Sequence, residues 1–133
     1  MKDIVWDKSL SIDVDEVDDD HRRLVDVFNV LSHAVADGES ADYLEAVLQE
    51  LINCTVWHFS HEERLMLKYG YAERAEHKAE HRELIDSVKA LQAKFLVGDR
   101  QLSGKEIEYL EHWLTEHIYV ADMKMGAFLA DAM

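Results

Sequence analysis

Apolar residues recur at helical spacing along most of the chain. From about residue 18 they fall three or four positions apart, which places them on one face of a helix. Before residue 18 they alternate loosely, as in an extended segment. Gly38, Gly70 and Gly98 interrupt the helical pattern, and the chain contains no proline. The pattern predicts an extended arm over residues 1–17 and helices over about 18–37, 41–69, 72–97 and 104–131.

Signals for helix starts agree with this division. The acidic run Asp18–Asp20 suits a helix N-terminus, Ser40 is a suitable N-cap, and Ser103 with Glu106 has the spacing of a capping box. The joints between helices are short, so consecutive helices should be antiparallel neighbours. The sequence therefore predicts one all-α domain over residues 1–133, an up-down-up-down antiparallel four-helix bundle with an extended N-terminal arm.

Composition narrows the classes of partner. The 133 residues are 48% hydrophobic and carry a net charge of −14, which favours a folded acidic domain and disfavours binding to nucleic acid or to anionic membranes. The stretch 51–61 lacks charged Lys, Arg, Asp and Glu but is far too short to span a bilayer. No signal peptide is apparent, and the single Cys54 cannot form an internal disulfide. We expect a soluble cytoplasmic protein, and its protein partner stays open.

Histidines occupy positions on the predicted core faces. Five of the eight fall on or in line with the apolar stripes, where each would need a buried polar partner. Two acidic residues accompany them. The topology brings the start of the first helix, the end of the second, the start of the third and the end of the fourth to one level of the bundle, in a layer roughly 10–15 Å deep. The residues of this layer are His21, His58, Glu62, His77, His81, His117 and Asp122.

Imidazoles and carboxylates that converge in a dry core indicate a metal site. Five nitrogen donors and two carboxylates exceed what one ion requires, so the set fits two ions with the carboxylates as bridges. One spacing is awkward, because His117 and Asp122 are five residues apart, or about 140° on a regular helix. We therefore expect an irregularity in this helix, or an Asp122 that reaches the site from its flank.

Other residues near the layer have simpler interpretations. We interpret His61 as a boundary residue, with an extra ligand or a proton relay as alternatives. His33 and His112 lie off the ligand faces and are assigned structural or solvent roles. Cys54 is interpreted as a small buried residue, with redox sensing as the alternative. Glu63 could orient a metal-binding histidine.

The motifs of this layer resemble those of a known family. The segments H-F-S-H-E at 58–62, H-K-A-E-H at 77–81 and H-I-Y-V-A-D at 117–122, with His21 before them, resemble the hemerythrin family from about Trp6 to the C-terminus. The chain length and the arm resemble its single-domain bacterial members, the bacteriohemerythrins. The resemblance implies two iron ions joined by an oxo or hydroxo bridge. It implies that His77, His81 and His117 hold one iron, that His21 and His58 hold the other, with one open position, and that Glu62 and Asp122 bridge both.

The resemblance also implies a function, which is reversible dioxygen binding for storage, transport or scavenging, without enzymatic turnover. The oxygen pocket would be walled by Leu114, Ile118, Trp113 and Phe59. Two alternatives remain open. The domain could be the oxygen- or redox-sensing part of a signalling protein, or it could be a di-iron enzyme such as a peroxidase or a nitric-oxide-handling protein.

Overall fold

Four antiparallel helices form the bundle that the apolar pattern predicted. The structure, a computed structural model, describes residues 4–6 and 8–133, so the predicted arm is described except for residues 1–3 and 7. No strand occurs among the described residues. A π-helical segment joins α4 to α5, so these elements together form the fourth helix of the bundle. The elements are α1 (Asp15–Ala36), α2 (Ala41–Tyr69), α3 (Arg74–Val97), α4 (Gly104–His117), the π-helical segment (Ile118–Asp122) and α5 (Met123–Ala132). The predicted arm is not extended throughout, because Lys8–Leu10 form a short 3-10 helix.

Side-chain caps begin two of these helices. The Tyr43 N–H donates to the Ser40 Oγ over 3.2 Å at the start of α2. Ser103 and Glu106 form the predicted capping box, since each backbone N–H donates to the other side chain, over 3.0 and 3.2 Å. Gly70 ends α2 with a φ of 72°, a left-handed conformation that most residues with a Cβ avoid.

Two helices begin at residues other than those predicted. α1 begins at Asp15, earlier than the predicted start at residue 18, because the Val14 carbonyl already accepts from the Asp18 N–H over 2.9 Å. The acidic residues of the first turn still face the helix N-terminus favourably. α3 begins at Arg74 and not at residue 72, because a turn in which the Arg74 N–H donates to the Tyr71 carbonyl over 3.2 Å precedes it.

The N-terminal arm is fastened to the bundle at three points. The Asn29 side chain accepts from the Ile4 N–H and donates to the Ile4 carbonyl, over 2.9 and 2.8 Å. The Asp18 carboxylate accepts from the Ile12 N–H over 2.9 Å. Ile12 also packs against α5 at Gly126, where an added Cβ would lie 2.6 Å from the Ile12 Cβ and carbonyl oxygen. The arm therefore lies close against both the first and the fourth helix.

The core changes character along the bundle axis. Towards the joint between α1 and α2 it is apolar, with Phe28 and Leu48 at most 1% exposed. Towards the joint between α2 and α3 the buried positions include histidines and acidic residues. None of the described helices combines the length and the low charge that a membrane-spanning segment requires.

Candidate metal centre

All seven predicted donors meet in the polar half of the core. Each is at most 5% exposed. Every helix of the bundle contributes: α1 supplies His21, α2 supplies His58 and Glu62, α3 supplies His77 and His81, and the fourth helix supplies His117 and Asp122.

Glu62 lies at the centre of this cluster and divides it. Its Oε1 is 3.2 Å from the His77 Nε2 and 3.0 Å from the His81 Nε2. Its Oε2 is 3.3 Å from the His21 Nε2 and 2.5 Å from the His58 Nε2. One carboxylate thus presents one oxygen to each of two pairs of imidazoles, which is the arrangement of a bridging ligand.

Asp122 divides the cluster in the same way. Its Oδ1 is 3.1 Å from the His77 Nε2 and 3.2 Å from the His117 Nε2. Its Oδ2 is 2.9 Å from the His21 Nε2. The two carboxylates therefore separate the histidines in the same sense, with His21 on one side and His77 on the other.

The predicted irregularity of the fourth helix is confirmed and explains how Asp122 reaches the cluster. Ile118–Asp122 is π-helical, and the Met123 N–H donates to the Ile118 carbonyl five residues earlier. A turn of this type returns the chain to the same face after about five residues. His117 and Asp122 are five residues apart, so both point into the core from one helix.

The donors form two overlapping groups. We call His77, His81 and His117 the three-histidine group, and His21 and His58 the two-histidine group. Glu62 and Asp122 belong to both groups. Within each group, taken together with these two carboxylates, the donor atoms lie within 4.8 Å of one another.

Several donor atoms lack hydrogen-bond partners although they are buried. Within the described residues, no hydrogen bond of suitable angle reaches the Nε2 atoms of His58, His81 and His117 or either oxygen of Asp122, although each of these atoms lies within 3.2 Å of an oxygen or nitrogen across the cluster. Leaving such an atom unsatisfied costs about 1–3 kcal/mol. Since these atoms point at one another across the cluster, metal ions bound between them would remove that cost. Imidazole nitrogens and carboxylate oxygens suit iron among other transition metals.

Comparison with known proteins also indicates a metal-binding domain. A family profile described as the hemerythrin HHE cation-binding domain matches residues 12–129. The chain belongs to the hemerythrin family. It is 35% identical over 113 residues to the bacteriohemerythrin of Methylococcus capsulatus, which covers 85% of this chain and 86% of the relative. It is 34% identical over 115 residues to the bacteriohemerythrin of Stenotrophomonas maltophilia, covering 86% and 74%.

Solved hemerythrins share the fold. A crystal structure of wild-type hemerythrin superimposes with a TM-score of 0.88 at 33% sequence identity, over 96% of this chain and 98% of that chain. This similarity covers nearly the whole chain, so the cluster of donors lies within a hemerythrin bundle.

The histidines and carboxylates of this hemerythrin cluster control one another's charge. Burial alone lowers the pKa of His58, but the carboxylates of Glu62, Asp20 and Asp122 together outweigh this effect and raise that pKa to about 10. The same balance holds for His117 and His77. Burial lowers each pKa, but the neighbouring carboxylates, Asp122 foremost, raise the pKa of His117 to about 10 and that of His77 to about 9. Burial raises the pKa of both carboxylates, but the histidines hold it below its usual range. Metal binding would therefore replace histidine protons.

Two carboxylates outside the cluster contact the far nitrogens of two histidines of the three-histidine group. The Glu63 Oε2 is 3.1 Å from the His81 Nδ1, which is the orienting contact predicted for Glu63. The Glu80 Oε1 is 2.8 Å from the His117 Nδ1. Sequence reasoning missed Glu80, although it stands within the H-K-A-E-H segment one residue before a donor. Such contacts fix which ring nitrogen faces a metal.

His61 lies beside the centre without joining it. Its Nδ1 contacts the Asp20 Oδ2, which is also 3.4 Å from the His58 Nδ1. Its side chain is 12% exposed, as the boundary interpretation predicts, and it belongs to neither group of donors. His112 pairs with Glu116 on the surface over 2.5 Å.

The four residues predicted to wall an oxygen pocket are all buried. Phe59 is stacked on the His81 ring with centroids 3.8 Å apart and an angle of 3°, and it contacts the ring of Trp113 at 6.2 Å. Leu114 and Ile118 are 2% and 1% exposed, and they flank His117 along the fourth helix. The surroundings of the cluster are therefore apolar on this side. Cys54 is half-buried, and burial raises the pKa of its thiol.

Proposed function

We propose that this chain binds dioxygen reversibly at a pair of iron ions held by the seven donors. Glu62 and Asp122 would bridge the ions, His77, His81 and His117 would hold one, and His21 and His58 would hold the other. The observation that supports this proposal most directly is that each carboxylate presents one oxygen to each group of histidines.

The numbers of donors indicate where an external ligand binds. The three-histidine group offers three nitrogens and one oxygen from each bridging carboxylate, which are five donors. The two-histidine group offers two nitrogens and the same two oxygens, which are four. An octahedral ion takes six ligands. With an oxo or hydroxo bridge between the ions, the three-histidine group is complete and the two-histidine group has one open position.

The charges of the donors suit ferrous iron. The imidazoles bind as neutral ligands, so Glu62 and Asp122 are the charged groups that face the ions. When bound, two ferrous ions would supply the electrons that reversible dioxygen binding requires. Di-iron proteins of the ferritin type use Glu-x-x-His pairs and more carboxylates. The histidine-rich set of this chain favours a carrier over an oxidation catalyst.

Four residues beside the cluster are suited to keeping water away from it. Phe59, Trp113, Leu114 and Ile118 are buried and apolar apart from the Trp113 indole nitrogen. An apolar wall limits the access of water and of protons to a bound ligand. We therefore propose that these four residues form the oxygen pocket and slow the irreversible oxidation of the iron. Storage, transport and scavenging in the cytoplasm are all compatible uses of such a site.

Iron analysis combined with visible absorption tests the proposal. The protein is reconstituted with Fe²⁺ without oxygen and then cycled between air and argon. We expect two irons per chain and an absorption band that appears in air and disappears in argon over repeated cycles. Irreversible bleaching or rapid turnover of added peroxide would favour the enzyme alternative. Fewer than about one iron per chain would contradict every metal-based function.

A further inference from the structure

The two groups of histidines differ in what their far nitrogens contact. In the three-histidine group, the Nδ1 atoms of His81 and His117 lie 3.1 and 2.8 Å from the carboxylates of Glu63 and Glu80. In the two-histidine group, the His58 Nδ1 has a longer contact of 3.4 Å, to an Asp20 oxygen that His61 also contacts. The His21 Nδ1 is buried and has no hydrogen-bond partner in the part of the chain that the structure describes.

These contacts affect the nitrogens that face the cluster. A carboxylate that accepts from the Nδ1–H keeps the proton on that nitrogen and leaves the Nε2 lone pair free for a metal ion. It also makes the Nε2 a stronger donor. Both effects operate on two members of the three-histidine group through short contacts. In the two-histidine group they operate on one member, through a longer and shared contact.

The number of donors and the nearby charge also favour metal binding by the three-histidine group. The three-histidine group offers one more nitrogen than the two-histidine group. Glu63 and Glu80 add negative charge behind its rings, and they remain partly exposed, with side chains 25% and 45% accessible. A first ion also neutralises part of the charge on Glu62 and Asp122, so a second ion binds to less negative bridging ligands.

We propose that the three-histidine group takes up its metal ion first and more tightly, and that Glu63 and Glu80 are positioning residues that establish this order. The proposal rests on the proposed function, in which the seven donors bind two ions. It implies that the chain passes through a state with one metal ion, bound by His77, His81 and His117 together with Glu62 and Asp122.

Titration of the metal-free protein with Co²⁺ in the absence of oxygen tests this order. Calorimetry gives the two affinities, and the visible bands of Co²⁺ report the coordination of each ion. We expect two separate steps in the wild type. We expect Glu63→Gln with Glu80→Gln to weaken the first step by about 10–100-fold and to change the Co²⁺ bands of that step, because loss of such an outer hydrogen bond typically has this effect. The affinities of the two steps should consequently become more similar.

Two further variants make the test specific. Asp20→Asn should weaken the second step and so widen the separation. Glu83→Gln, at an exposed position of α3 two residues after His81, should leave both steps and both spectra unchanged. Circular dichroism of each metal-free variant verifies folding, and Glu80→Gln alone, at a side chain that is 45% exposed, provides a mild variant for comparison.

Each outcome decides between the two proposals. Two ions that bind with equal affinity in the wild type would overturn the loading order while leaving the metal site intact. A separation that is unchanged or wider in the Glu63 and Glu80 variants would overturn their positioning role. No uptake of Co²⁺, and none of Fe²⁺ by the same method, would contradict the proposed function itself.

Discussion

The three-histidine group and the two-histidine group share the same two carboxylates but differ in their surroundings. The first comes from α3 and the fourth helix and is backed by Phe59, stacked on the His81 ring at 3.8 Å. The second comes from α1 and α2 and is backed by the arm, whose Trp6 ring lies 6.4 Å from the His21 ring. The difference shows how one bundle gives unlike surroundings to two groups of histidines that share the same carboxylates.

The π-helical segment is part of this difference. It belongs to the same helix as His117, and it turns Asp122 towards both groups. A regular helix would direct Asp122 away from the centre, since five residues correspond to about 140° of rotation. A local irregularity therefore brings the second carboxylate to the centre, whereas Glu62 reaches the centre from a regular helix one turn after His58.

Removal of Glu62 should have the largest effect, because it acts on both groups at once. Glu62→Gln keeps the size of the side chain but removes the charge and one oxygen donor. We expect the affinity of both sites to fall by more than the roughly 100-fold that loss of an outer hydrogen bond causes. Metal analysis after anaerobic reconstitution measures this. The neighbouring Glu63→Gln serves as the matched control and should still hold two ions at saturating metal; two tightly bound ions in Glu62→Gln would contradict a bridging role.

Removal of single histidines should separate the two groups. His58→Ala leaves one nitrogen in the two-histidine group, so we expect the protein to retain one metal ion, bound by the three-histidine group. His81→Ala leaves two nitrogens in each group, so both ions should still bind, with more similar affinities. The stoichiometry and affinities from Co²⁺ titration measure the difference. The division of the histidines into these two groups would be wrong if His81→Ala lost all metal while His58→Ala still bound two ions.

The pH dependence of stability should distinguish the metal-free protein from the loaded one. The pKa values of His58, His77 and His117 are raised from 6.5 to about 10, 9 and 10. A raised histidine pKa stabilises the folded chain fully below pH 6.5, and this contribution is lost as the pH rises through 9 to 10. The melting temperature of the metal-free protein should therefore fall by roughly 5 °C or more between pH 6.5 and 10.

Metal ions replace those protons, so the loaded protein should lack most of this decrease. Parallel thermal melts of both forms provide the measurement. A metal-free protein whose melting temperature rises over the same pH range would show that these histidines are not protonated in the fold.

Substitution of Leu114 should have the smallest of these effects and should act on the open position alone. A polar Leu114→Asn side chain would admit water and protons to the pocket, so we expect spontaneous oxidation in air to accelerate by about tenfold, which corresponds to about 1.4 kcal/mol in the barrier. The lifetime of the air-equilibrated protein, followed by visible absorption, measures this. Leu114→Met keeps the wall apolar and should change the lifetime little. An unchanged lifetime in Leu114→Asn would remove Leu114 from the pocket.

Much of the bundle was predictable because periodic signals determine it. The apolar spacing places the helices, and the capping box at Ser103 marks the start of α4. The start of α1 was not predictable in the same way. Val14 caps that helix without a side-chain hydrogen bond, and Asp18, the first residue of the acidic run that was expected to begin the helix, accepts hydrogen bonds from the arm instead.

The convergence of the seven donors could likewise be predicted from helix phase and topology. Their division between two metal ions could not be derived from phase alone, because it depends on which oxygen of Glu62 and Asp122 faces which ring. The contact of Glu80 with His117 escaped prediction for a related reason. It depends on the direction of a long side chain between α3 and the fourth helix, which residue spacing does not specify.

The uptake of dioxygen per iron tests the central claim most directly. The reduced protein, with its iron content known, is exposed to measured amounts of dioxygen in a sealed cell with an oxygen electrode, and the gas is then removed. One open position in the two-histidine group predicts one dioxygen taken up for every two irons and recovered under argon. Uptake of one dioxygen per iron, or consumption without recovery, would contradict a reversible carrier with a single open position.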